Sequence, residues 1–313
     1  MITHQLISNL IPHNATIIVG FSGGPDSVCL LIFLNNLKTS HNLTLIAAHL
    51  DHEWRPESSQ DALWCMQFCK KLNITFVSKK LSELDFVAKS NGSKEEMARK
   101  ARRHFFEQCA QQFQASHIAL AHHQDDQIET FFIRLTRGSS VAGLGCMRTH
   151  DGLYIRPLLS IKKQEILDYL AENAISFLID STNDDLCFLR NRIRKNLTPI
   201  LHSIDPRLQN NIISCIDRMQ KTDDFLEQLT QETVQQLKTD HGINQHVFLK
   251  LPEVLQQRIL ITLLIEHKIP CNPSTALFQE IIRFLRSNKH QQHQIHPKCT
   301  IIKQKNCFSF KPL

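Results

Sequence analysis

Residues Ser22-Gly23-Gly24-Pro25-Asp26-Ser27 bring two glycines, two hydroxyls and a carboxylate into one short stretch, directly after the apolar run Thr16–Phe21. Glycines let a backbone come close to a ligand, and a turn that opens a helix presents N–H groups where the helix dipole favours an anion. Ser22 and Ser27 add hydroxyl donors, and Asp26 can support a metal held on phosphate. The chemistry indicated is phosphate binding; the plainer reading is a tight strand-to-helix turn capped by Ser or Asp. The loop lacks the lysine of GxxxxGK[ST] and the spacing of GxGxxG, so neither of those phosphate motifs describes it.

A second constellation is His122-His123-Gln124-Asp125-Asp126-Gln127-Ile128-Glu129-Thr130. Asp126 and Glu129 are three apart and share a helix face, while Phe131, Phe132 and Leu135 can turn to a core. Two imidazoles beside two carboxylates suit a cation or nucleotide site, a metal site, or a helix cap with satisfied histidines, and no third set of metal ligands stands out elsewhere. Arg99 and Arg102 fall on one face of a helix that also holds Arg103, Phe105 and Phe106, placed to reach a phosphate together or to be solvated. Arg190-Asn191-Arg192-Ile193-Arg194-Lys195 is denser, either a polyanion contact or a solvated helix face.

These groups need a scaffold, and the spacing of apolar residues supplies one. Thr16–Phe21, Leu43–Leu50, Ile74–Ser78 and His117–Ala121 read as buried strands; Ser27–Lys38, Ser58–Leu72 and Ser93–Phe113 between them repeat at helical spacing. That order predicts an α/β fold with a doubly wound parallel sheet. Leu153–Ile155 and Phe177–Ile179, with a helix over Lys162–Asn173, are expected to extend the sheet. From Asp205 the pattern turns helical without strands, so the expected domains are 1–205, holding the chemistry, and 206–313, smaller and mainly helical. In the latter, helices are expected over Pro252–His267 and Ser274–Ser287, with a terminal hairpin of Cys299–Lys303 and Cys307–Lys311.

A chain of 313 residues has room for about two domains. Hydrophobic residues at 42% and charged residues at 21%, with 9 Gly and 11 Pro, exclude disordered and collagen-like chains. The formal charge of +6 is unevenly spread, and no acid follows Glu280 while Arg283, Arg286, Lys289, Lys298, Lys303, Lys305 and Lys311 do. That tail suits a polyanionic partner. The longest apolar run, Val28 to Leu34, is too short for a bilayer span, so no membrane partner and a cytoplasmic location are expected. The ten cysteines are scattered and read as small buried apolar residues.

Beyond SGGPDS, the chain carries in order HLDHEWRPES (His49–Ser58), ARKARRHFF (Ala98–Phe106), AHHQDDQIETFFIRLTRGSSVAGLGCM (Ala121–Met147), RPLL (Arg156–Leu159) and DSTNDDLCFLRNRIR (Asp180–Arg194). SGGxDS after a strand resembles the pyrophosphatase-loop ATPases, which have an adenine nucleotide alpha hydrolase-like fold, and the ordered set resembles the tRNA(Ile)-lysidine synthetases among them. The match covers about residues 15–205; after 205 the chain resembles the short form with one C-terminal domain. Glu53-Trp54 stands where that family usually has Gly-Leu, Arg103 where it has Tyr, and Cys146 where it has Gly.

The resemblance implies adenylation of the position-2 carbonyl oxygen of a wobble cytidine, then displacement of AMP by the lysine side-chain amine. It implies ATP and Mg2+ as cofactors, with free lysine and an isoleucine tRNA bearing a wobble cytidine as partners; a homodimer is a candidate assembly. Catalytic roles are expected for Asp26, Arg102 and Asp126, and nucleotide binding for Ser22, Gly23, Gly24, Pro25, Asp26 and Ser27. Asp26 is expected to meet the metal through its phosphates. Substrate contacts are expected from Asp126, Glu129, Arg99, Arg190, Arg192 and Arg194, with tRNA also touching the C-terminal domain. The alternatives are another pyrophosphatase-loop tRNA-modifying enzyme, of which a sulfur-transferring one would usually rely on CxxC-like cysteine pairs that the chain lacks, and a non-catalytic RNA-binding protein.

Overall fold

Alternation of apolar side chains decides the layering of the first sheet. In the computed structural model, which describes residues 8–54, 58–86, 94–179, 189–269, 274–287 and 291–312, strands and helices alternate as the sequence predicts. They are β1 (Thr16–Gly20), α1 (Pro25–Leu37), β2 (Thr44–Asp51), α2 (Ser58–Lys71), β3 (Thr75–Lys80), α3 (Lys94–Gln112), β4 (His117–Ala119), α4 (Gln124–Thr136), β5 (His150–Asp151), β6 (Tyr154–Ile155) and α5 (Lys163–Glu172). Ile17 and Val19 of β1, with Leu45 and Ala47 of β2, face α1, α2 and α5. Ile18, Ile46 and Ala48 face the opposite way, onto Ala101, Phe105, Phe106 and Cys109 of α3. A strand buried on both faces must be apolar at every position, which is why these runs show no polar alternation.

The strand order is β3-β2-β1-β4-β6-β5. β1 pairs in parallel with both β2 and β4, β4 with β6, and only β5 runs antiparallel, against β6. The fold is the expected doubly wound α/β sheet. Phe177–Ile179 does not extend it: Phe177 and Leu178 pack on the core as irregular chain, Leu178 N–H bonds Gly23 O at 2.9 Å, and Ile179 is 86% exposed. With one backbone bond, made to the loop after β1 and not to a strand, and an exposed Ile179, that segment forms no sheet pairing among the described residues.

The chain divides into two compact units, Met1–Arg218 and Met219–Leu313, thirteen residues beyond the expected boundary. The division falls inside α6 (Leu208–Leu237), because its first turns belong to the first unit. There Ile212 and Ile216 are buried with Ile128 and Cys146. The second unit contains α7 (Gln245–Lys250), α8 (Glu253–Glu266) and α9 (Thr275–Arg286), together with more sheet than the expected hairpin. That hairpin, β10 (Cys299–Gln304) with β11 (Cys307–Pro312), is the middle of an antiparallel sheet ordered β7-β8-β11-β10-β9, with β7 at Lys238–Thr239, β8 at Gly242–Asn244 and β9 at Gln292–His296. Its core joins Phe248, Ile259, Leu263, Ile281, Leu285, Ile301 and Phe308. Lys303 Nζ donates to the carbonyls of Phe284 and Ser287 at the end of α9, a favoured place for a cation. Among the described residues no helix is long and apolar enough to cross a membrane.

Candidate active site

From β1 the chain crosses to β2 on one side, and it returns later to β4 on the other, so the loops leaving β1 and β4 diverge at their carboxyl ends. Such a crevice is where open α/β sheets bind ligands. Both expected constellations lie on its rims.

On the β1 rim, the Ser22 N–H donates to Ser27 Oγ at 3.2 Å, the two hydroxyls stand 3.2 Å apart, and Ser27 Oγ donates to Gly24 O at 3.0 Å. Gly23 has φ +80, and a Cβ there would lie 2.6 Å from Leu178 Cδ1 and 2.9 Å from Cys65 Sγ. The turn is thus folded tightly around a position only glycine fits. Gly24 caps α1 without a side-chain hydrogen bond, which leaves first-turn N–H groups to an outside anion.

On the β4 rim, His122 and His123 lead into α4. The His123 N–H donates to Asp126 Oδ2 at 3.0 Å. The His123 ring joins the two rims, with Nε2 lying 3.5 Å from Asp126 Oδ2 and 3.8 Å from Asp26 Oδ2. A third element ties them further: Lys163 Nζ is 2.5 Å from Asp26 Oδ1, and the Lys163 N–H donates to Asp125 Oδ1 at 3.2 Å.

Asp126 and Glu129 are buried, at 8% and 2% exposure, and two arginines meet them. Arg194 Nε donates to Glu129 Oε1 at 2.6 Å, and Arg190 Nε makes an ion pair with Oε2 at 2.9 Å, its N–H turned off the oxygen. Arg190 and Arg194 also approach Asp126 at 3.9 and 3.7 Å. Burial opposes charge on Asp126, but His123, Arg190 and His122 outweigh it and hold the carboxyl below its ordinary range. In Glu129 burial wins: the carboxyl is raised, with Asp126 pushing the same way against Arg194 and Arg190.

The remaining expected residues are distributed around this centre. Arg99, Arg102 and Arg103 are exposed along α3; partial desolvation of the Arg99 guanidinium, then the charges of Arg103, Arg190 and Arg134, lower its pKa. Arg103 lies over the Tyr154 ring at 4.6 Å, and Tyr154 donates to Glu107 at 2.7 Å. Arg192 is exposed and has no carboxylate contact among the described residues, whereas the half-buried Arg190 and the more exposed Arg194 both turn to the carboxylates. Residues 55–57 and 180–188 of the quoted motifs lie outside the described residues. Burial, first of all, lowers His122 to about 4, although Asp126 pulls the other way; its Nδ1 has no hydrogen-bond partner among the described residues.

The donor set fits a metal carried on phosphate better than a caged one. Among the described residues no group of three or more His, Cys, Asp or Glu could hold a metal ion by itself, which removes the His-carboxylate alternative there. A single carboxylate, Asp26, stands beside the cradle, and Mg2+ is commonly held by one or two carboxylates plus phosphate oxygens and water.

A family model described as the PP-loop domain matches residues 2–201. The chain belongs to the PP-loop family. Among curated proteins, this PP-loop chain is 34% identical over 287 residues to the tRNA(Ile)-lysidine synthase of Bacillus subtilis, covering 88% of this chain and 60% of that protein. It is 38% identical over 213 residues to the tRNA(Ile)-lysidine synthase of Clostridium tetani, covering 67% and 45%. It therefore spans about 60% or less of the length of these relatives. Among solved structures, a U34-tRNA thiolase from Methanococcus maripaludis carrying a [4Fe-4S] cluster aligns with a TM-score of 0.58 at 18% identity, over 69% of this chain and 77% of that one, a likeness of fold.

Lys163 is the site residue that sequence reading missed. Its signal is the pair Lys162-Lys163, a few residues after Arg156–Leu159, on a helix whose first turn is otherwise unremarked. Arg156, which in the sequence is only one member of a motif, is buried; it donates to Arg148 O at 2.8 Å and lies 3.6 Å from Asp151.

Proposed function

We propose that this chain attaches lysine to position 2 of the wobble cytidine of an isoleucine tRNA, using ATP and releasing AMP and pyrophosphate. One observation carries the reading: a phosphate cradle at Ser22–Ser27 and a buried carboxylate pair, Asp126 and Glu129, share one crevice and are joined by His123. The name borne by the curated relatives supplies the substrate class.

A cytosine carbonyl oxygen leaves poorly as oxide and well as phosphate. In the first step that oxygen bonds the α-phosphorus of ATP, and the bond to pyrophosphate breaks. The Ser22–Ser27 amides and hydroxyls hold the phosphates as charge builds on the leaving group, with Arg99 and Arg102 on the phosphate side. Mg2+, held by Asp26 and the phosphates, would supply further charge neutralisation there. In the second step the lysine Nε bonds C2, the C2–O bond breaks, AMP departs and the amine loses a proton. Near neutrality the free amine is an ammonium, so Asp126 and Glu129 suit both its binding and its deprotonation. Arg192 and the basic segment Arg283–Lys311 serve the tRNA polyanion, with residues 206–313 as the tRNA-contacting domain. A reaction on tRNA and ATP belongs in the cytoplasm.

A sulfur-transfer reading is disfavoured by four of the described thiols. Burial raises Cys29 and Cys69 to about 12 and Cys109 and Cys146 to about 11, far from a reactive thiolate. Incubation with ATP, radiolabelled lysine and total tRNA tests the proposal: label enters RNA, and AMP forms only with both lysine and tRNA present. D126N and E129Q should raise the lysine requirement or stop transfer more than they weaken ATP binding. Unlabelled RNA with an otherwise folded, ATP-binding protein would sink it.

A further inference from the structure

The charge cluster in the crevice is complete before any substrate arrives. Asp126 and Glu129 bring two negative charges and Arg190 and Arg194 two positive ones, in contact over 2.6 to 3.9 Å. An ammonium entering here would add a third cation to a charge-balanced set whose carboxylates are buried. Without rearrangement it would be repelled by both guanidinium groups, and no uncompensated charge would be waiting for it.

The arginines have somewhere else to go. Arg194 is 42% exposed at its side chain and feels Asp26 in the phosphate loop as well as Glu129 and Asp126, so it stands between the two rims. Arg190 also feels the like charge of Arg99. Arg190 lies on a one-turn helix, Leu189–Arg192, that runs directly into a π-helical turn, Ile193–Leu197, which carries Arg194. Such wide turns recur at functional sites.

We propose that Arg190 and Arg194 couple the two substrate sites: they cover Asp126 and Glu129 in the substrate-free protein and turn onto the phosphates of a nucleoside triphosphate held at Ser22–Ser27, which opens the carboxylates to a primary ammonium. This rests on the amine site assigned under the proposed function. The triphosphate supplies the anionic partner that the arginines lose, so nucleotide and amine each favour the other. Linkage makes the effect reciprocal: whatever factor nucleotide adds to amine affinity, amine adds to nucleotide affinity. The amine site is thereby kept closed until the phosphates that activate the acceptor are in place.

Calorimetric titration of lysine into the full chain, with and without α,β-methylene-ATP and Mg2+, tests this in the wild type, R190Q, R194Q and R194K. The nucleotide analogue should tighten lysine binding about 10-fold or more in the wild type, and lysine should tighten the analogue by the same factor. In R194Q, lysine should bind more tightly than to wild type without nucleotide, and the nucleotide effect should fall below about 3-fold; R194K should keep most of it. Equal lysine affinity with and without the analogue in the wild type overturns the coupling while leaving the amine site standing. A nucleotide effect intact in both R190Q and R194Q overturns it equally. Absence of lysine binding in every arm, with analogue binding preserved, overturns the amine site and the coupling together.

Discussion

Lys163 Nζ lies 2.5 Å from Asp26 Oδ1, across 137 residues of sequence, while the Lys163 backbone N–H bonds Asp125. The start of α5 therefore locks the phosphate loop to the carboxylate-bearing first turn of α4. A flexible ammonium beside Asp26 is also a donor for any phosphate that enters the cradle.

D26A should abolish ATP-dependent AMP formation while leaving tRNA binding largely intact. K163Q should lower the rate of AMP formation by about 10²-fold, the cost typical of losing one positioned donor at developing charge. Steady-state AMP release and filter binding of labelled tRNA measure the two effects. Wild-type turnover in either variant would remove that residue from the phosphate machinery.

Gly23 and Gly24 are neighbours with opposite tolerances. At Gly23 an added methyl meets Leu178 and Cys65 at φ +80, whereas at Gly24 it meets only Ser22 Oγ at 3.5 Å. G23A should cost about 1–2 kcal/mol for the left-handed backbone alone, more with the clash, and lower the melting temperature by several degrees. G24A should melt near wild type. Differential scanning calorimetry distinguishes them, and equal melting temperatures would mean the loop relaxes around the new side chain.

Much of this architecture was legible because buried parallel strands are written as apolar runs and the helices between them carry 3.6-residue stripes. Thr16–Phe21 and His117–Ala121 each name a strand, and the topology sends the loops that leave those two strands to one crevice. β7, β8 and β9 were not legible: they are two to five residues long, and β9 reads Gln-His-Gln-Ile-His, held by pairing with β10 rather than by its own apolar pattern. Asp126 and Glu129 were legible as a pair on one face, but their arginine partners are about sixty residues away, a distance no helical period spans. The departures from the family pattern also acquire a physical meaning. Glu53 and Cys146, where glycine is usual, have φ of 55 and 54. Left-handed backbone explains why glycine suits those positions, and Glu53 is held there by its N–H to Asp51 and its carboxylate on the Ser82 N–H.

Acid should destabilise the first unit through its histidines. Burial, aided by Arg102, lowers His52 from 6.5 to about 4, and His122 falls to about the same value. Between those values the unfolded chain binds protons that the folded chain refuses, so stability is full above pH 6.5 and falls as pH drops toward 4. The melting temperature should decline across that window, and the double variant H52N/H122N should flatten the decline. An unchanged slope in the double variant would assign acid sensitivity elsewhere, His49 being the next candidate because burial lowers it too.

The position of the domain division sets the last expectation. Ile212 and Ile216 lie beyond Asp205 yet are buried with Cys146 and with Ile128, the latter on the helix that carries Asp126 and Glu129. A chain ending at Asp205 strips that contact and should lose about 1.5–3 kcal/mol for each isoleucine no longer buried. A chain ending at Arg218 retains both and should unfold near the temperature of the first unit in the full protein. With that folded fragment, the role of the basic second unit can be read directly. Residues 219–313 carry 12 Lys and Arg against 8 Asp and Glu, so in the proposed tRNA-contacting role their phosphate contacts should release counterions and make binding steeply salt-dependent. Ending the chain at Arg218 should therefore raise the apparent KM for tRNA far more than that for ATP and reduce the slope of tRNA affinity against salt. Unaltered efficiency and salt dependence in the fragment would leave tRNA recognition wholly to the PP-loop unit.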